Sequence, residues 1–461
     1  MDHLLDISLT ELAKLYRKTE VSPVEIAKAT FERQLKIEPK LNAFISLTEK
    51  EALQQAKIAE KCFLTHEPVH LLMGIPFSVK DLFYTKGIRT TCASNILKNF
   101  KPNFNATAVN KLLTNGAVMI GKNNMLEFAY GIVHPDFGKT NNPWDLSKTS
   151  GGSSSGSSAA VASGIGFFSL GTDTGGSIRI PASYCGVVGL KPTRGLVSTH
   201  GVFPLSWSLD HAGPIARNAL DTAIVLEAIS GFDPEDPYSL SGKLREVDIE
   251  NFYVPISKRV GILPERQLAG LTPDVRSVYE KTLKHVKSIG WEIEEITIQD
   301  WERTEDIIMD VLLPEAAQIH KQWLNRKTDY AARTYHQIEI GMEKKAVDYL
   351  DGLRNSRKYT QDVTSVFKTI DLLLMPTVAF VAPAEDPVIG STEENEMVFT
   401  GPFNISGHPA VTINMGFTEN GLPIGMQLTA PHFQDIELLQ AASQLEQLRT
   451  MKLPPLIRKG V

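Results

Sequence analysis

The stretch Gly171-Thr-Asp-Thr-Gly-Gly-Ser-Ile-Arg-Ile-Pro-Ala182 is the most informative part of this chain. The apolar run Phe167-Phe-Ser-Leu170 comes directly before it and is typical of a short buried strand. The polar turn that follows contains Thr174-Gly-Gly-Ser177. Successive backbone N–H groups in such a turn can point at one spot and stabilise a developing negative charge on oxygen. The sequence therefore predicts that Ser177 presents its hydroxyl beside an oxyanion-binding turn, although a glycine turn with a capping serine would have a similar sequence.

A second glycine and serine cluster, Ser150-Gly-Gly-Ser-Ser-Ser-Gly-Ser-Ser158, precedes the first. Such a composition is also found in flexible linkers. Here, however, the helix-forming residues Ala159-Ala-Val-Ala162 follow at once, and predicted buried strands lie on both sides. Because glycine permits backbone conformations that other residues resist, the cluster predicts a close approach of backbone at a helix start.

A lysine ends a third segment, Gly74-Ile-Pro-Phe-Ser-Val-Lys80, in which apolar and polar residues alternate. This is strand periodicity, and it places Ser78 and Lys80 on one face and Asp81 on the other. A serine hydroxyl needs a base to become a nucleophile, and a lysine can be that base only when its amine is neutral. Burial favours the neutral amine, so a lysine on an apolar strand suits the role.

Strand and helix patterns alternate along much of the chain. Ser8-Leu-Thr-Glu11 and Ser22-Pro-Val-Glu25 fit the capping box that begins a helix. The alternation predicts an α/β fold with a largely parallel or mixed sheet. The acidic stretch Ser391-Thr-Glu-Glu-Asn-Glu396 is typical of a loop before the last strands. No linker divides the chain, so we expect one domain over 1–461, made of an N-terminal helical segment (1–60), a catalytic core (70–230), a variable, largely helical part (240–370) and C-terminal strands with a helix (371–461).

Composition excludes several classes of protein. Hydrophobic residues make up 42% and charged residues 22%, which is ordinary for a globular protein. The net charge of −6 offers no basic surface for nucleic acid or an anionic membrane. Three cysteines without a C-x-x-C pair favour neither a disulfide framework nor structural zinc. With no signal peptide or membrane-spanning run visible, we expect a cytoplasmic enzyme.

Three textual motif matches are better explained otherwise. His66-Glu-Pro-Val-His70 matches a zinc motif that requires a helix, which Pro68 would break. Gly116-Ala-Val-Met-Ile-Gly-Lys-Asn123 resembles a phosphate-binding loop but has a strand between its glycines and Asn123 in place of Ser or Thr. Gly152-Ser-Ser-Ser-Gly156 matches a nucleophile elbow at Ser154, yet a loop rather than a strand leads into it.

Together these segments resemble the amidase signature hydrolases. The resemblance covers 70–230 well, 370–430 moderately and 240–370 only in general character. The segments that carry it are Gly74–Asp81, Gly151-Gly-Ser-Ser154, Gly171–Ala182, Cys185-Gly-Val-Val-Gly-Leu-Lys-Pro-Thr193, Leu209-Asp-His-Ala-Gly-Pro214 and Gly421-Leu-Pro-Ile-Gly-Met-Gln427.

The resemblance implies a mixed sheet covered by helices on both faces and a serine–(cis)serine–lysine triad. By position, Ser177 matches the nucleophile, Ser153 the bridging serine after a cis Gly152–Ser153 bond, and Lys80 the base. It further implies an oxyanion hole and three supporting residues, and no metal or cofactor. The oxyanion-hole positions are Thr174, Gly175, Gly176 and Ser177, and the supporting residues are Ser154, Asp173 and Arg179.

The implied activity is hydrolysis of a carboxylic amide through a serine acyl-enzyme. We favour a stand-alone amidase, since 331–343 does not resemble the matching region of the glutaminase subunit of tRNA-dependent amidotransferases. That subunit remains an alternative, as do a urea- or carbamate-cleaving hydrolase and an inactive scaffold protein. Met125, Tyr130 and Trp207 are candidates for the substrate pocket, although each suits the core equally. The expected partner is a small-molecule amide, with no direct nucleic acid or membrane contact, and a homodimer is left open.

Overall fold

The structure is a computed structural model. It describes residues 1–242, 244–268, 270–387, 395–449 and 452–458. Residues 391–394 of the predicted acidic loop lie outside this part of the chain, whereas Asn395 and Glu396 lie within it and lead into a turn.

An 11-stranded mixed sheet forms the centre of the described protein, with the strand order β1-β3-β2-β4-β6-β5-β10-β11-β9-β7-β8. Parallel pairs join β2 to β3 and β4 and join β7 to β8 and β9, and the other neighbouring strands are antiparallel. The strands are β1 (Phe44–Leu47), β2 (Pro76–Lys80), β3 (Val118–Asn123), β4 (Phe168–Asp173), β5 (Val188–Lys191), β6 (His211–Ala216), β7 (Arg259–Ile262), β8 (Glu292–Glu295), β9 (Leu372–Pro376), β10 (Ala410–Phe417) and β11 (Pro423–Thr429). The predicted mixed α/β sheet is confirmed.

Helices surround this sheet. In chain order they are α1 (Leu9–Arg17), α2 (Pro23–Leu41), α3 (Glu49–Leu64), α4 (Thr107–Thr114), α5 (Ser155–Ala162), α6 (Arg179–Cys185), α7 (Ala219–Ile229), α8 (Pro273–Ser288), α9 (Thr304–His320), α10 (Ala332–Glu343), α11 (Ala346–Val366), α12 (Gly401–Ser406), α13 (Asp435–Glu446) and α14 (Pro455–Arg458). No helix in the described ranges has both the length and the apolar character needed to cross a bilayer.

The predicted helix starts at α1 and α2 are present. The Ser8 hydroxyl accepts a hydrogen bond from the Glu11 amide at 3.1 Å, and the Glu11 carboxylate accepts one from the Ser8 amide at 3.0 Å. A reciprocal box of the same kind joins Ser22 and Glu25, with Pro23 as the first helical residue. These boxes satisfy amides that the helix itself leaves without partners.

Side chains that alternate along the strands build a core on each face of the sheet. In β3, Met119 belongs to one apolar cluster, whereas Val118 and Ile120 belong to another. The Ala159–Ala162 end of α5 packs into the cluster of Val118, and α7 packs into that of Met119. Helices therefore cover both faces, and buried strands carry apolar residues in both directions.

Two strands extend further than their apolar runs predicted, and both extensions reach the site. β4 continues past Leu170 to Asp173, and β3 continues past Ile120 to Asn123. β2 lies between β3 and β4 and is buried along its whole length. Lys80, the last residue of β2, is thereby held between two neighbouring strands.

Candidate active site

Lys80 is fully buried and its amine is held by hydroxyl groups. Its Nζ donates to Ser153 Oγ at 2.7 Å and to Thr172 Oγ1 at 2.9 Å. Thr172 lies in β4, the parallel neighbour of β2, and Ser153 lies in the loop before α5. The predicted contact between Lys80 and Ser153 is present, and β2 supplies a rigid base for it.

Burial sets the charge state of this lysine. Removal from water lowers the pKa of Lys80 to about 7, while the charges of Asp173 and Asp210 act in the opposite direction. A desolvated amine loses the hydration that stabilises its charged form, which explains the direction of the change. A substantial neutral fraction therefore exists near neutral pH.

Asp81 is kept apart from Lys80, as strand alternation predicts. Its Oδ2 accepts hydrogen bonds from the amide and the hydroxyl of Thr91, at 2.7 and 2.5 Å. Its Oδ1 lies 3.4 Å from Lys122 Nζ, and both side chains are fully buried. The carboxylate that follows Lys80 in sequence is thus paired with another cation.

The loop that carries Ser153 is packed too closely for larger residues. The Gly152–Ser153 peptide bond is cis, as the family resemblance implies. A Cβ atom on Gly152 would lie only 2.0 Å from Leu126 Cδ1. The Leu126 amide in turn donates to the Ser153 carbonyl at 3.3 Å. This glycine is therefore required by contact with Leu126, which fits the predicted close approach of backbone.

Ser154 connects the loop to its surroundings. Its Oγ donates to the Thr172 carbonyl at 3.2 Å and accepts from the Thr172 amide at 3.3 Å. Its own amide donates to the Ser177 carbonyl at 3.1 Å. Ser154 is fully buried, and no strand of the described chain leads directly into it. These contacts agree with a supporting position and with rejection of the nucleophile elbow.

Ser153 and Ser177 line one small cavity of about 40 Å³, which we call the inner cavity. Gly175 and Gly176 form part of the same wall. Gly176 has a φ of +144°, and a Cβ there would lie 2.5 Å from Ile180 Cδ1. Only a residue without a side chain fits this turn, so its backbone is exposed to whatever occupies the cavity.

Flanking side chains hold this turn on both sides. Thr174 Oγ1 donates to Asp210 Oδ1 at 2.6 Å. Thr400 Oγ1 donates to the Gly175 carbonyl, also at 2.6 Å. The predicted oxyanion-binding turn is therefore held by residues 36 and 225 positions further along the chain.

Asp173 and Arg179 form a fully buried salt bridge beneath the turn. Arg179 Nη2 lies 2.8 Å from Asp173 Oδ1, and its Nε donates to Asp173 Oδ2 at 2.9 Å. The remaining guanidinium hydrogens reach Asn404 Oδ1, Gln427 Oε1 and the Thr400 carbonyl. Burial tends to raise the pKa of Asp173, but the Arg179 charge outweighs it and lowers that pKa to about 2. Both side chains thus support the loop, as predicted.

The rest of the inner cavity is mostly apolar, with two carboxylates. Its apolar wall comprises Leu126, Ala129, Ile180, Leu205, Leu312 and Met397. Asp386 and Glu396 also line it, and none of the described lining residues is a lysine or an arginine.

Asp386 is linked to the serine loop through Thr149. Thr149 Oγ1 donates to Asp386 Oδ1 at 2.8 Å and accepts from the Gly151 amide at 3.0 Å. Asp386 Oδ2 is buried with no hydrogen-bond partner in the described part of the chain. Burial raises the pKa of Asp386 to about 6.

None of the three residues predicted for the substrate pocket lines this cavity. Met125 and Tyr130 lie in the apolar core. Trp207 lines a separate cavity beside Arg194 and Arg357. Their near neighbours Leu126, Ala129 and Leu205 line the inner cavity instead. Irregular backbone has no fixed periodicity from which to decide which side chain faces inward.

Several site residues were missed from the sequence. Thr172 stands inside the quoted stretch, but it lies two positions beyond Leu170, the last β4 residue paired with β2, so neither the pattern nor the register marks it. Asp386 and Met397 lie in the moderately matched segment 370–430, outside the quoted motifs, and no local pattern marks them. The rejected histidine motif agrees with the structure, since 67–70 is not helical. No cluster of three or more metal-ligating side chains occurs among the residues that the structure describes.

Comparison with known proteins gives consistent matches. A family model described as Amidase matches residues 25–439. The A subunit of glutamyl-tRNA(Gln) amidotransferase from Trichormus variabilis is 38% identical, over 95% of this chain and 97% of that protein. The structure of the corresponding protein from Thermotoga maritima has a TM-score of 0.83 and 30% identity, covering 98% of each chain. A structure described as an unexpected vestigial protein complex that reveals the origins of an s-triazine catabolic enzyme has a TM-score of 0.90 and 29% identity, covering 97% of this chain and 100% of its own.

Proposed function

This chain belongs to the amidase family of hydrolases, which act on C–N bonds, and from that premise we propose that it is a single-chain amidase working through a serine acyl-enzyme. In this proposal Ser177 is the nucleophile, Ser153 relays its proton, and Lys80 is the base. The observation that carries the proposal is the 2.7 Å contact between Lys80 Nζ and Ser153 Oγ, made by a fully buried lysine.

The reaction begins with neutral Lys80. Its lone pair takes the Ser153 proton while Ser153 takes the proton of Ser177, and Ser177 Oγ forms a bond to the amide carbonyl carbon. The tetrahedral adduct then collapses and its C–N bond breaks. The leaving amine receives its proton back through Ser153. Water, deprotonated by the same relay, then cleaves the acyl ester to carboxylate and restores the Ser177 hydroxyl.

The backbone N–H groups of the turn at Thr174–Ser177 supply the partial positive charge that complements the oxyanion. Backbone N–H groups in a fixed turn stabilise the oxyanion without reorganising during the reaction. The hydrogen bonds that Thr174 and Thr400 make to Asp210 and Gly175 hold this turn in advance. Such preorganisation is what an oxyanion hole requires.

A second candidate function is the glutaminase activity of an amidotransferase, which the 38% identical relative favours. Free glutamine carries a carboxylate near the reacting amide. The described wall of the inner cavity offers Asp386 and Glu396 but neither lysine nor arginine to pair with that group. Like charges brought together in a partly buried site are unfavourable. We therefore expect amides without a carboxylate to be better substrates than free glutamine.

The test is hydrolysis of a panel of small amides, a urea and a carbamate by the purified chain, with and without glutamine. We expect turnover of at least one carboxylate-free amide and release of ammonia or amine in proportion to acid. Turnover of glutamine alone would overturn the single-chain amidase in favour of the glutaminase. Preferred cleavage of the urea or carbamate would reassign the substrate. A chain that a fluorophosphonate leaves unlabelled would be the inactive scaffold instead.

A further inference from the structure

A second cavity, which we call the outer cavity, adjoins the inner one through a shared wall. Its volume is about 230 Å³, against about 40 Å³ for the inner cavity. Met397 lines both. Since one water molecule needs roughly 10–15 Å³, the inner cavity holds only a few water-sized groups. A larger part of a substrate needs further space, and the outer cavity beyond Met397 supplies it.

The backbone of Met397 is fixed by hydrogen bonds, and its side chain separates the inner cavity from the outer cavity. Its amide donates to Asn395 Oδ1 at 2.8 Å, and its carbonyl accepts from the Gly401 amide at 2.8 Å. Its Sδ is the atom that a Cβ on Gly175 would meet first, at 2.5 Å. Methionine is unbranched and flexible, so this wall can move without disturbing the backbone.

One buried hydrogen-bond acceptor in the lining of the outer cavity has no donor among the described residues. Gln267 is 6% exposed, and its Nε2 donates to Glu302 at 3.1 Å. Its Oε1 is buried with no partner among the described residues. Glu305, half-buried in the same wall, accepts from Asn395 Nδ2 at 2.7 Å. A buried acceptor without a donor is costly, which favours a ligand that brings N–H groups.

The remaining lining suits an amine on an apolar chain. Trp301 and Ile308 form a buried apolar wall. Glu302 is exposed, and its pKa is lowered by the hydrogen bond from Gln267 and further by the charge of Arg266. Arg266 is the one cation in the described lining and is itself exposed. Gln267 and Glu305 are more buried than Glu302 and are the acceptors that we assign to a ligand's positive charge.

We propose that the outer cavity is the subsite for a distal ammonium group of the substrate, joined past Met397 to the amide at Ser177. The substrate class is then an amide whose aliphatic chain ends in a primary amine. This inference rests on the proposed amidase function. It adds Gln267 and Glu305 as specificity-determining residues and Met397 as the partition between the two compartments.

The experiment compares kcat/KM for ω-aminoalkanamides with that for n-alkanamides of matched length, over chains of increasing length. We expect the wild type to prefer the amine-bearing member at an optimal length. The preference should fall by about tenfold in Glu305→Gln and in Gln267→Met, which is the scale of losing a charge-assisted hydrogen bond. Glu280→Gln, an exposed carboxylate on α8, is the matched control and should retain the preference. A wild type without preference, or variants that keep it, would overturn the subsite.

A binding measurement separates failure of the subsite from failure of the proposed function. Calorimetry on Ser177→Ala should detect the ω-aminoalkanamide and a weaker n-alkanamide, and adding Glu305→Gln should remove the difference. If this difference appears but the wild type hydrolyses no amide, the subsite stands and the amidase proposal fails. If hydrolysis occurs but both ligands bind equally, the subsite alone is rejected. Should Gln267→Met fail to fold, Glu305→Gln decides the result.

Discussion

Thr172 Oγ1 lies 2.9 Å from Lys80 Nζ, so the amine that contacts Ser153 is also held from the neighbouring strand. A buried amine with one partner would be free to rotate away from it, whereas two hydroxyls on different elements define its position. This relationship makes Thr172 a positioning residue in the proposed relay, and it underlies the first two predictions.

We expect Thr172→Val, which keeps the shape but removes the hydroxyl, to lower kcat/KM by about tenfold to a hundredfold through misplacement of Lys80. The lost hydrogen bond stabilises the charged amine, so the basic limb of the pH profile should also move to lower pH. Thr172→Ser should restore both properties. Loss of rate with an unmoved limb in Thr172→Val would indicate a merely structural contribution.

The pH dependence should report the charge state of Lys80. The pKa of this lysine is lowered by burial to about 7, and only the neutral amine acts as base. Activity should therefore be low at acidic pH, rise through that region and level off above it. Lys80→Ala and Lys80→Arg should each lose about 10²–10⁴-fold in kcat/KM together with the limb.

His211→Asn is the comparison for a histidine base. His211 is buried and its Nδ1 contacts the carbonyls of Leu209 and Asp173. We expect the position of the limb to be unchanged in this variant. If it abolished the limb while Lys80→Ala preserved turnover, the lysine mechanism would be wrong.

Covalent trapping should locate the nucleophile. Mass spectrometry after treatment with a fluorophosphonate should place one adduct on the peptide containing Ser177, and Ser177→Ala should remove it. Ser154→Ala serves as the control, because Ser154 bonds to Thr172 and should leave the adduct on Ser177. An adduct on Ser154 in the wild type would restore the elbow interpretation.

Substitution of Gly176 should impair the oxyanion-binding turn. In Gly176→Ala the new methyl group would meet Ile180 Cδ1 at 2.5 Å and displace the turn. We expect kcat to fall by about 10²–10³-fold, the scale of losing an oxyanion donor. Gly87→Ala is the control, since Gly87 also has a positive φ but has no neighbour within 4 Å of an added Cβ. Equal losses in both variants would point to general destabilisation.

Breaking the salt bridge beneath the turn should destabilise the protein. Asp173→Asn leaves the buried Arg179 charge uncompensated, and we expect a loss of about 3–5 kcal/mol in the free energy of unfolding. The surface pair Asp300 and Lys358 gives the control, since solvent screens its charges and Asp300→Asn should leave the free energy of unfolding nearly unchanged. Urea denaturation measures both.

The contribution of the Asp173–Arg179 salt bridge to the free energy of unfolding depends on pH. The pKa of Asp173 in the folded chain is about 2, below its usual 3.8, because the Arg179 charge outweighs burial. Its contribution is therefore fully present above pH 3.8 and is lost as the pH falls through 2. In Asp173→Asn, the free energy of unfolding should no longer fall with Asp173 protonation between pH 3.8 and 2. An acid transition identical to that of the wild type would contradict the lowered pKa of Asp173.

Regular strands made part of this site predictable. Alternation placed Lys80 and Asp81 on opposite faces of β2, and the structure agrees. The family resemblance assigned Ser153 and Ser177 by their spacing, and both line the inner cavity. Met125, Tyr130 and Trp207 do not line the inner cavity, and the sequence could not show this because the inward direction in a loop depends on φ and ψ at each residue. Asp386 and Met397 come from a distant segment, and only the folded chain shows what they face.

Arg179 donates hydrogen bonds to Thr400 and Gln427, 221 and 248 positions further along the chain. Synthesis proceeds from the N-terminus, so the ribosome has already made the serines, the lysine and the glycine turn when these acceptors are still untranslated. Until β11 emerges, the Arg179 guanidinium lacks one of its acceptors. The nascent polypeptide therefore cannot complete this hydrolytic centre early, and truncation before Gln427 should yield an inert product.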